Sequence, residues 1–281
     1  MGIFRLDHVV LVVDDLGRAS ADFATLGFTV TPGGKHKDLG THNALIGFAD
    51  GSYLELIAFR AVSSTAGSTE AVAVHPAFSR VGDWKSRGSG LVDFALLTTN
   101  ISGDIALAGE RGVEIRGPVL GGRVRPDGAQ LFWQFGFPDA FDLPFLCADV
   151  TPRAHRVPGG PATEHPNAAQ GISRVTVAVK DLVKSTGRYA ALLGLEAQEC
   201  SRAVSSKTHA SQARAPETRA VEFVLGSTCL ILAAPDGRGS PLQDTLDKTG
   251  QGPCALGLRG SKNGVFAARY TQGARIELTS G

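Results

Sequence analysis

The chain lacks several things, and each shortage removes a class of function. Its longest apolar run near the amino terminus, Val9 to Val13, is far short of the roughly 20 residues that a membrane-spanning helix needs. That run begins too early, and meets Asp14-Asp15 too soon, to read as a secretory leader. Positive charge is not in excess: 28 Lys and Arg stand against 27 Asp and Glu. Nucleic acid and anionic membrane surfaces are therefore not expected partners, because both need a concentrated positive field. The four cysteines (Cys147, Cys200, Cys229 and Cys254) show no C-x-x-C spacing and read as buried apolar residues in a reducing compartment. A G-x-S-x-G elbow and a G-x-x-x-x-G-K-[ST] phosphate loop are both missing. These shortages leave the expectation of a soluble, cytoplasmic α+β protein.

What the chain has is glycine, 35 residues of it, and a repeated phrase. Leu6-Asp7-His8-Val9-Val10-Leu11-Val12-Val13-Asp14-Asp15-Leu16 reads as a strand running into a helix cap. Leu91-Val92-Asp93-Phe94-Ala95-Leu96-Leu97 repeats it, and Ile172-Ser173-Arg174-Val175-Thr176-Val177-Ala178-Val179-Lys180-Asp181-Leu182 repeats it again. Each copy is followed by a helical stretch that ends at a glycine: Gly27, Gly112 and Gly194. A self-similar period describes architecture first.

In the first module, residues 3–60, the strand 4–13 leads to a helix with Leu16, Ala19, Phe23 and Leu26 on one face. Asp14 or Asp15 can cap it and Gly27 can end it. Strands at 43–48 and 53–59 follow, joined by the hairpin signal Asp50-Gly51. The second module, residues 90–150, keeps this layout at a constant offset, with Asp93 at the His8 position, Ile101 at Leu16 and Gly112 at Gly27. Its later strands fall at 130–135 and 143–147. Residues 61–90 are too long for a simple connection, and Phe78, Val81 and Trp84 sit three apart, as in a short helix closing over a cavity. The Pro- and Gly-rich stretch 151–170 reads as a linker. A third module spans about 171–234, and the remnant 253–281 has room only for strand, helix and strand. The expected organisation is a two-module domain (1–150), a linker (151–170) and an abbreviated second domain (171–281).

Several motifs carry a resemblance. Leu6-Asp7-His8-Val9-Val10, Gly33-Gly34-Lys35-His36, Gly40-Thr41-His42-Asn43, Tyr53-Leu54-Glu55-Leu56-Ile57, Leu143-Pro144-Phe145 and His165-Pro166-Asn167 together resemble the glyoxalase-like group of the vicinal oxygen chelate superfamily. The likeness covers most of the chain and weakens after residue 235. It implies βαβββ modules paired so that curved sheets enclose a cup, with a truncated last module. It also implies one divalent metal ion, Zn, Ni, Fe or Mn, that leaves positions open for two oxygens of a small-molecule substrate.

By that resemblance His8 matches the first-strand ligand and Glu55 the last-strand ligand of the first module. Asp93 stands where the second module usually has His, and Phe145 or a neighbour stands where a carboxylate is expected. His8, Glu55 and Asp93 are the expected metal set. The third module has Arg174 and Leu230 at the corresponding places and so carries no inherited site. Read from the residues alone, His8 and Glu55 are polar groups inside apolar strands, where burial demands partners. They can serve as acid and base without a metal, or form a structural pair that binds nothing. Alternation puts Glu55 on one face with Tyr53 and Ile57, and His8 with Leu6 and Val10. His36, His42 and Asn43 are candidates for the cup mouth, Trp133 for a flat wall, and Arg123 with Arg125 for meeting an anionic substrate. The expected function is lyase or isomerase chemistry on a substrate with vicinal oxygens. The alternative is a metal-free sequestering protein of the bleomycin-resistance kind. A homodimer is expected if the shortened last module leaves a sheet edge uncovered.

Overall fold

The first strand, β1 (Arg5–Val12), is buried from Leu6 onward. A run of Val and Leu on both faces requires this, since such a strand must be covered on both sides. Val10 and Val12 join one apolar cluster, and Leu6, Val9 and Leu11 join another. The structure is a computed structural model describing residues 4–37, 39–60, 77–200, 218–236 and 240–280. Asp15 caps α1 (Leu16–Thr25) by accepting from the Arg18 amide at 2.9 Å. Gly27, at φ +82°, turns the chain out of the helix in the left-handed conformation expected of it.

Three strands complete the first module: β2 (Thr31–His36), β3 (Thr41–Gly47) and β4 (Tyr53–Phe59). The expected helix between the modules is present as α2 (Ala77–Arg87), where Val81 and Trp84 are buried. Residues 61–76 and the Phe78 side chain lie outside the described residues. The second module follows as β5 (Gly90–Leu97), α3 (Ile101–Glu110), β6 (Ile115–Val124), β7 (Gln130–Pro138) and β8 (Phe145–Asp149). These strands form a closed barrel in the order β1-β4-β3-β2-β6-β7-β8-β5. β1 runs parallel to β4 and antiparallel to β5, and the seam on the opposite side is short, pairing Lys35 with Val124 and His36 with Arg123.

The two seam strands, β2 and β6, are absent from the sequence expectation. They carry Pro32-Gly33-Gly34, Gly117-Pro118 and Gly121-Gly122, residue types that strands usually exclude. The reason is steric. A Cβ on Gly121 would lie 2.5 Å from the Phe135 ring and 2.6 Å from the Trp133 indole nitrogen. Glycine lets β6 approach the aromatic interior of the barrel.

Of residues 151–170, expected as a linker, those up to 168 are packed against the barrel. They contain α4 (Arg153–Arg156) and a 3-10 turn (Gly160–Thr163). Val157 packs with Leu45 and Tyr53. His165 accepts from the Thr29 amide through Nδ1 and donates through Nε2 to the Gly47 carbonyl at 2.9 Å.

The second half comprises β9 (Ala169–Ala178), α5 (Leu182–Leu193), β10 (Gln198–Glu199), β11 (Thr218–Leu225), β12 (Thr228–Pro235), α6 (Pro241–Thr249), β13 (Gly252–Gly260), β14 (Gly264–Val265) and β15 (Arg275–Ser280). It is an open seven-stranded sheet in the order β10-β11-β12-β9-β13-β15-β14. β13 pairs antiparallel with β9, so the last module finds its partner within the chain. The helix expected in that module is missing; turns connect β14 to β15. Both edge strands are two residues long, which leaves little backbone free to pair with another chain.

One apolar core joins the outer face of the barrel to the sheet, from Phe4 and Leu56 to Val175 and Leu278. The architecture is the α+β, cup-forming arrangement expected from the repeats. Of the four cysteines only Cys147 is fully buried, so the expectation of burial fails for the other three. Among the described residues no helix is long and apolar enough to cross a membrane.

Candidate active site

Alternation along the strands decides which polar side chains enter the barrel. On β4, Tyr53, Glu55 and Ile57 face the interior, while Leu54, Leu56 and Ala58 join the outer core. On β3, Asn43 faces inward. His42 is on the other face of that strand, in a groove beside α1, and so does not reach the cup as expected. On β1 a bulge between Leu6 and His8 breaks the alternation, buries Asp7 beside His8, and removes Leu6 from the His8 face.

These residues enclose a cavity of about 30 Å³, room for roughly one or two waters. Its polar wall includes His8, His36, Asn43, Tyr53, Glu55 and Arg123. Its apolar wall includes Leu39, Ile57, Trp84, Trp133, Phe135 and Phe145. His36, Asn43, Trp133 and Arg123 thus fall together with His8 and Glu55, as the sequence suggested. Arg125 lies outside, paired with Asp127 at 2.8 Å.

Asp7, which the sequence reading left without a role, organises the site. It is fully buried and accepts from His8 Nδ1 at 2.8 Å, from Arg156 Nη1 at 2.9 Å, and from Arg153. Burial alone would raise its carboxyl, but Arg156, His8 and Arg153 outweigh it and hold the group well below the usual carboxylate range. An ionised Asp7 only accepts, so the proton on a neutral His8 sits on Nδ1 and the Nε2 lone pair faces inward. That atom lies 3.4 Å from Glu55 Oε2. The His8 ring stacks on Tyr53 with centroids 4.7 Å apart and meets the Phe145 ring edge-on.

Glu55 sits between two imidazoles. Its Oε1 accepts from Asn43 Nδ2 at 2.6 Å and lies 3.6 Å from His36 Nε2. Burial would raise its carboxyl; His8, His36, the Asn43 hydrogen bond and Arg123 reverse the sign and lower it. His36 is pushed down to about 4, first by burial and then by Arg123, Arg60 and His8, against the pull of Glu55. Its Nδ1 is 2.8 Å from Thr41 Oγ1. Burial likewise raises the Tyr53 hydroxyl, which accepts from Arg156 Nη1 at 2.6 Å.

Asp93 does not join this group. Its carboxylate takes Arg80 Nε at 2.8 Å, Trp84 Nε1 at 2.9 Å and the Phe94 amide, so it fastens α2 to the barrel. Phe145 brings no donor atom. Among the described residues no three His, Cys, Asp or Glu side chains are grouped so as to hold a metal ion. The residues present therefore do not fit the inherited metal, because the second module's two positions supply one engaged carboxylate and one phenyl ring. Arg174, in the open sheet, pairs with Glu277 at 2.9 Å.

The sequence reading also missed Arg153 and Arg156. Their signal was slight, two arginines three apart in a stretch whose prolines and glycines suggested a linker.

Comparison with known proteins agrees with this geometry. Residues 6–193 match the family described as glyoxalase-like domain. A hypothetical protein from Staphylococcus aureus superposes with a TM-score of 0.71 at 17% identity, covering 99% of this chain and 100% of that one. A variant of 4-hydroxymandelate synthase from Streptomyces coelicolor gives 0.55 at 16% identity, covering 92% and 71%. A fusion of a xylose isomerase-like TIM barrel with 4-hydroxyphenylpyruvate dioxygenase gives 0.50 at 14% identity, covering 90% of this chain and 36% of that one. No curated protein sequence matches. At these identities the solved structures speak for the fold alone, while the matched domain covers most of the chain and its two complete modules. On that domain match the chain belongs to the glyoxalase-like domain family.

Proposed function

We propose that the protein is a small-molecule enzyme of the lyase or isomerase kind, moving a proton on a substrate with vicinal oxygens held in the barrel cavity. The observation that carries this reading is the Asp7–His8 contact, which fixes the imidazole with Nε2 toward the cavity and opposite Glu55. His8 Nε2 takes a proton from the carbon beside a carbonyl, and the electron pair moves onto the carbonyl oxygen. The imidazolium so formed lies between the carboxylates of Asp7 and Glu55, which stabilise it. The negative charge on oxygen develops in a cavity that also holds the Arg123 guanidinium. Returning the proton to the former carbonyl carbon, while the hydroxyl proton of the first carbon passes to the other oxygen, completes an isomerisation; expelling a leaving group with its electron pair from the carbon on the far side of the deprotonated one, with the carbonyl re-formed, completes a lyase reaction. Asn43 fixes the Glu55 carboxylate for this role.

Members of the superfamily often use a metal ion. This reading routes no step through one, because the residues at the second-module positions do not fit it. A second reading, sequestration of a ligand without turnover, is favoured by one feature: Trp84, Trp133, Phe135 and Phe145 wall the cavity, with Phe145 standing at a ligand position.

The test is proton exchange in heavy water, followed by NMR, with 2-oxo acids, hydroxyketones and hydroxyaldehydes as candidate substrates. Metal content is measured in parallel by elemental mass spectrometry. We expect deuterium incorporation or product formation, reduced by roughly 10²–10⁴ in His8→Gln. Saturable binding with no exchange favours sequestration. A near-stoichiometric metal ion, lost in a folded His8→Ala, Glu55→Ala double variant, overturns the metal-free mechanism.

A further inference from the structure

Three arginines of the described chain are almost wholly buried, and two of them hold a carboxylate. Arg80 pairs with Asp93 at 2.8 Å, and Arg156 pairs with Asp7 at 2.9 Å and with Asp149. The third, Arg123, is 4% exposed and forms no ion pair among the described residues. Its Nη2 donates to the Arg156 carbonyl at 2.7 Å, and its Nε has no acceptor. A buried guanidinium with no carboxylate in direct contact is costly, even with the Glu55 charge acting on it across the cavity.

Its position suggests what that is. Arg123 lies on the seam strand β6, opposite His36, and lines the barrel cavity together with His8 and Glu55. It also lines an outer cleft of about 350 Å³ between β2 and residues 154–159. The guanidinium thus stands in the wall between the two spaces. Arg125 in the same cleft already has its charge matched by Asp127.

We propose that Arg123 anchors the carboxylate of the substrate, so that the cavity selects small carboxylic acids bearing a second oxygen on the adjacent carbon. A planar fork of N–H donors suits a planar carboxylate, and a cavity of about 30 Å³ sets a limit at the smallest acids, of about two or three carbons, well below a phosphate ester. The assignment rests on the barrel cavity being the active site.

The chain's two tryptophans, Trp84 and Trp133, both line that cavity, so intrinsic fluorescence reports its occupancy. Parent protein is titrated with glyoxylate, glycolate and pyruvate, with glycolamide and pyruvamide, and with inorganic phosphate. We expect saturable responses to the acids and none to the amides. Arg123→Met should weaken acid binding by roughly tenfold to a hundredfold, the loss expected for a charge-assisted contact, and Arg123→Lys should retain part of it. Amides that bind like the acids, phosphate that binds more tightly, or an Arg123→Met variant that binds acids as the parent does would each overturn the assignment. If Arg123→Met does not fold, the acid–amide comparison in the parent and the Arg123→Lys variant decide. His8→Gln separates the two readings: acid binding retained without proton exchange in any protein keeps the anchor and rejects the proposed catalysis.

Discussion

His36 should make the protein lose stability on mild acidification, by an amount that its burial sets. The imidazole is enclosed in the barrel and its proton affinity drops from 6.5 to about 4. Above pH 6.5 both the folded and unfolded chains keep it neutral, and its contribution is fully present. As pH falls from there toward about 4, the unfolded chain takes up a proton that the folded chain refuses, so the unfolded state gains. The full gap corresponds to about 3 kcal/mol, of which about 2 kcal/mol is lost by pH 5. Glu55 is held below its ordinary value and so remains ionised through most of this window. The assay is urea unfolding between pH 8 and 5, read by tryptophan fluorescence, for the parent and for His36→Gln. The stability difference between the two proteins should shrink as pH falls, because the variant has nothing to titrate at that position. A difference that stays flat would show that His36 is protonated as readily inside the barrel as in water, and the account of the cavity as closed and water-poor would fail.

Two further outcomes are expected from the packing. Asp93→Ala leaves Arg80 buried without its carboxylate and frees the Trp84 indole N–H, so chemical denaturation should show a loss of about 3–5 kcal/mol; a loss under about 1 kcal/mol would mean that α2 is held by other contacts. Gly121→Ala pushes a methyl group into the Phe135 and Trp133 rings and should cost about 1–3 kcal/mol, with a shift in tryptophan emission, whereas Gly109→Ala, in α3, makes no contact and should leave the emission unchanged.

The parts of this molecule that can be read from its sequence are those in which local pattern and tertiary demand coincide. β1, β4 and β9 are dense in Val, Leu and Ile, and α1 and α5 carry Asp caps and glycine stops. Those signals survive any packing. β2 and β6 could not be read this way, because their glycines answer to neighbours that local pattern does not show: Gly33 to the Asn43 side chain, Gly34 to the Val124 backbone ninety residues away, and Gly121 to the Phe135 and Trp133 rings on the next strand. The site divides along the same line. His8, Glu55, Asn43 and Trp133 follow from strand alternation, whereas His42 fails because it sits one residue from Asn43 and so on the opposite face. Asp93 occupies a ligand's place in the repeat, yet its partners come from α2, outside the repeat altogether. Arg156 was hidden because composition reports how a segment is built and is silent about what its side chains neutralise.

The segment between barrel and sheet therefore bears on how freely the modules can be exchanged. Repetition of a module implies that the pieces began as interchangeable copies. Here the connector donates two cations to the first phrase of the chain, since Arg153 and Arg156 compensate Asp7, and Asp7 orients His8. A chain cut at residue 150 would keep all eight barrel strands and lose the counter-charges of its most deeply buried carboxylate. Such a fragment would also expose the apolar face that the barrel shares with the sheet, and so lose charge balance and core together. The duplicated halves have thus become obligate companions, and recombination among relatives must carry residues 150–157 with the barrel for the reactive histidine to stay aligned.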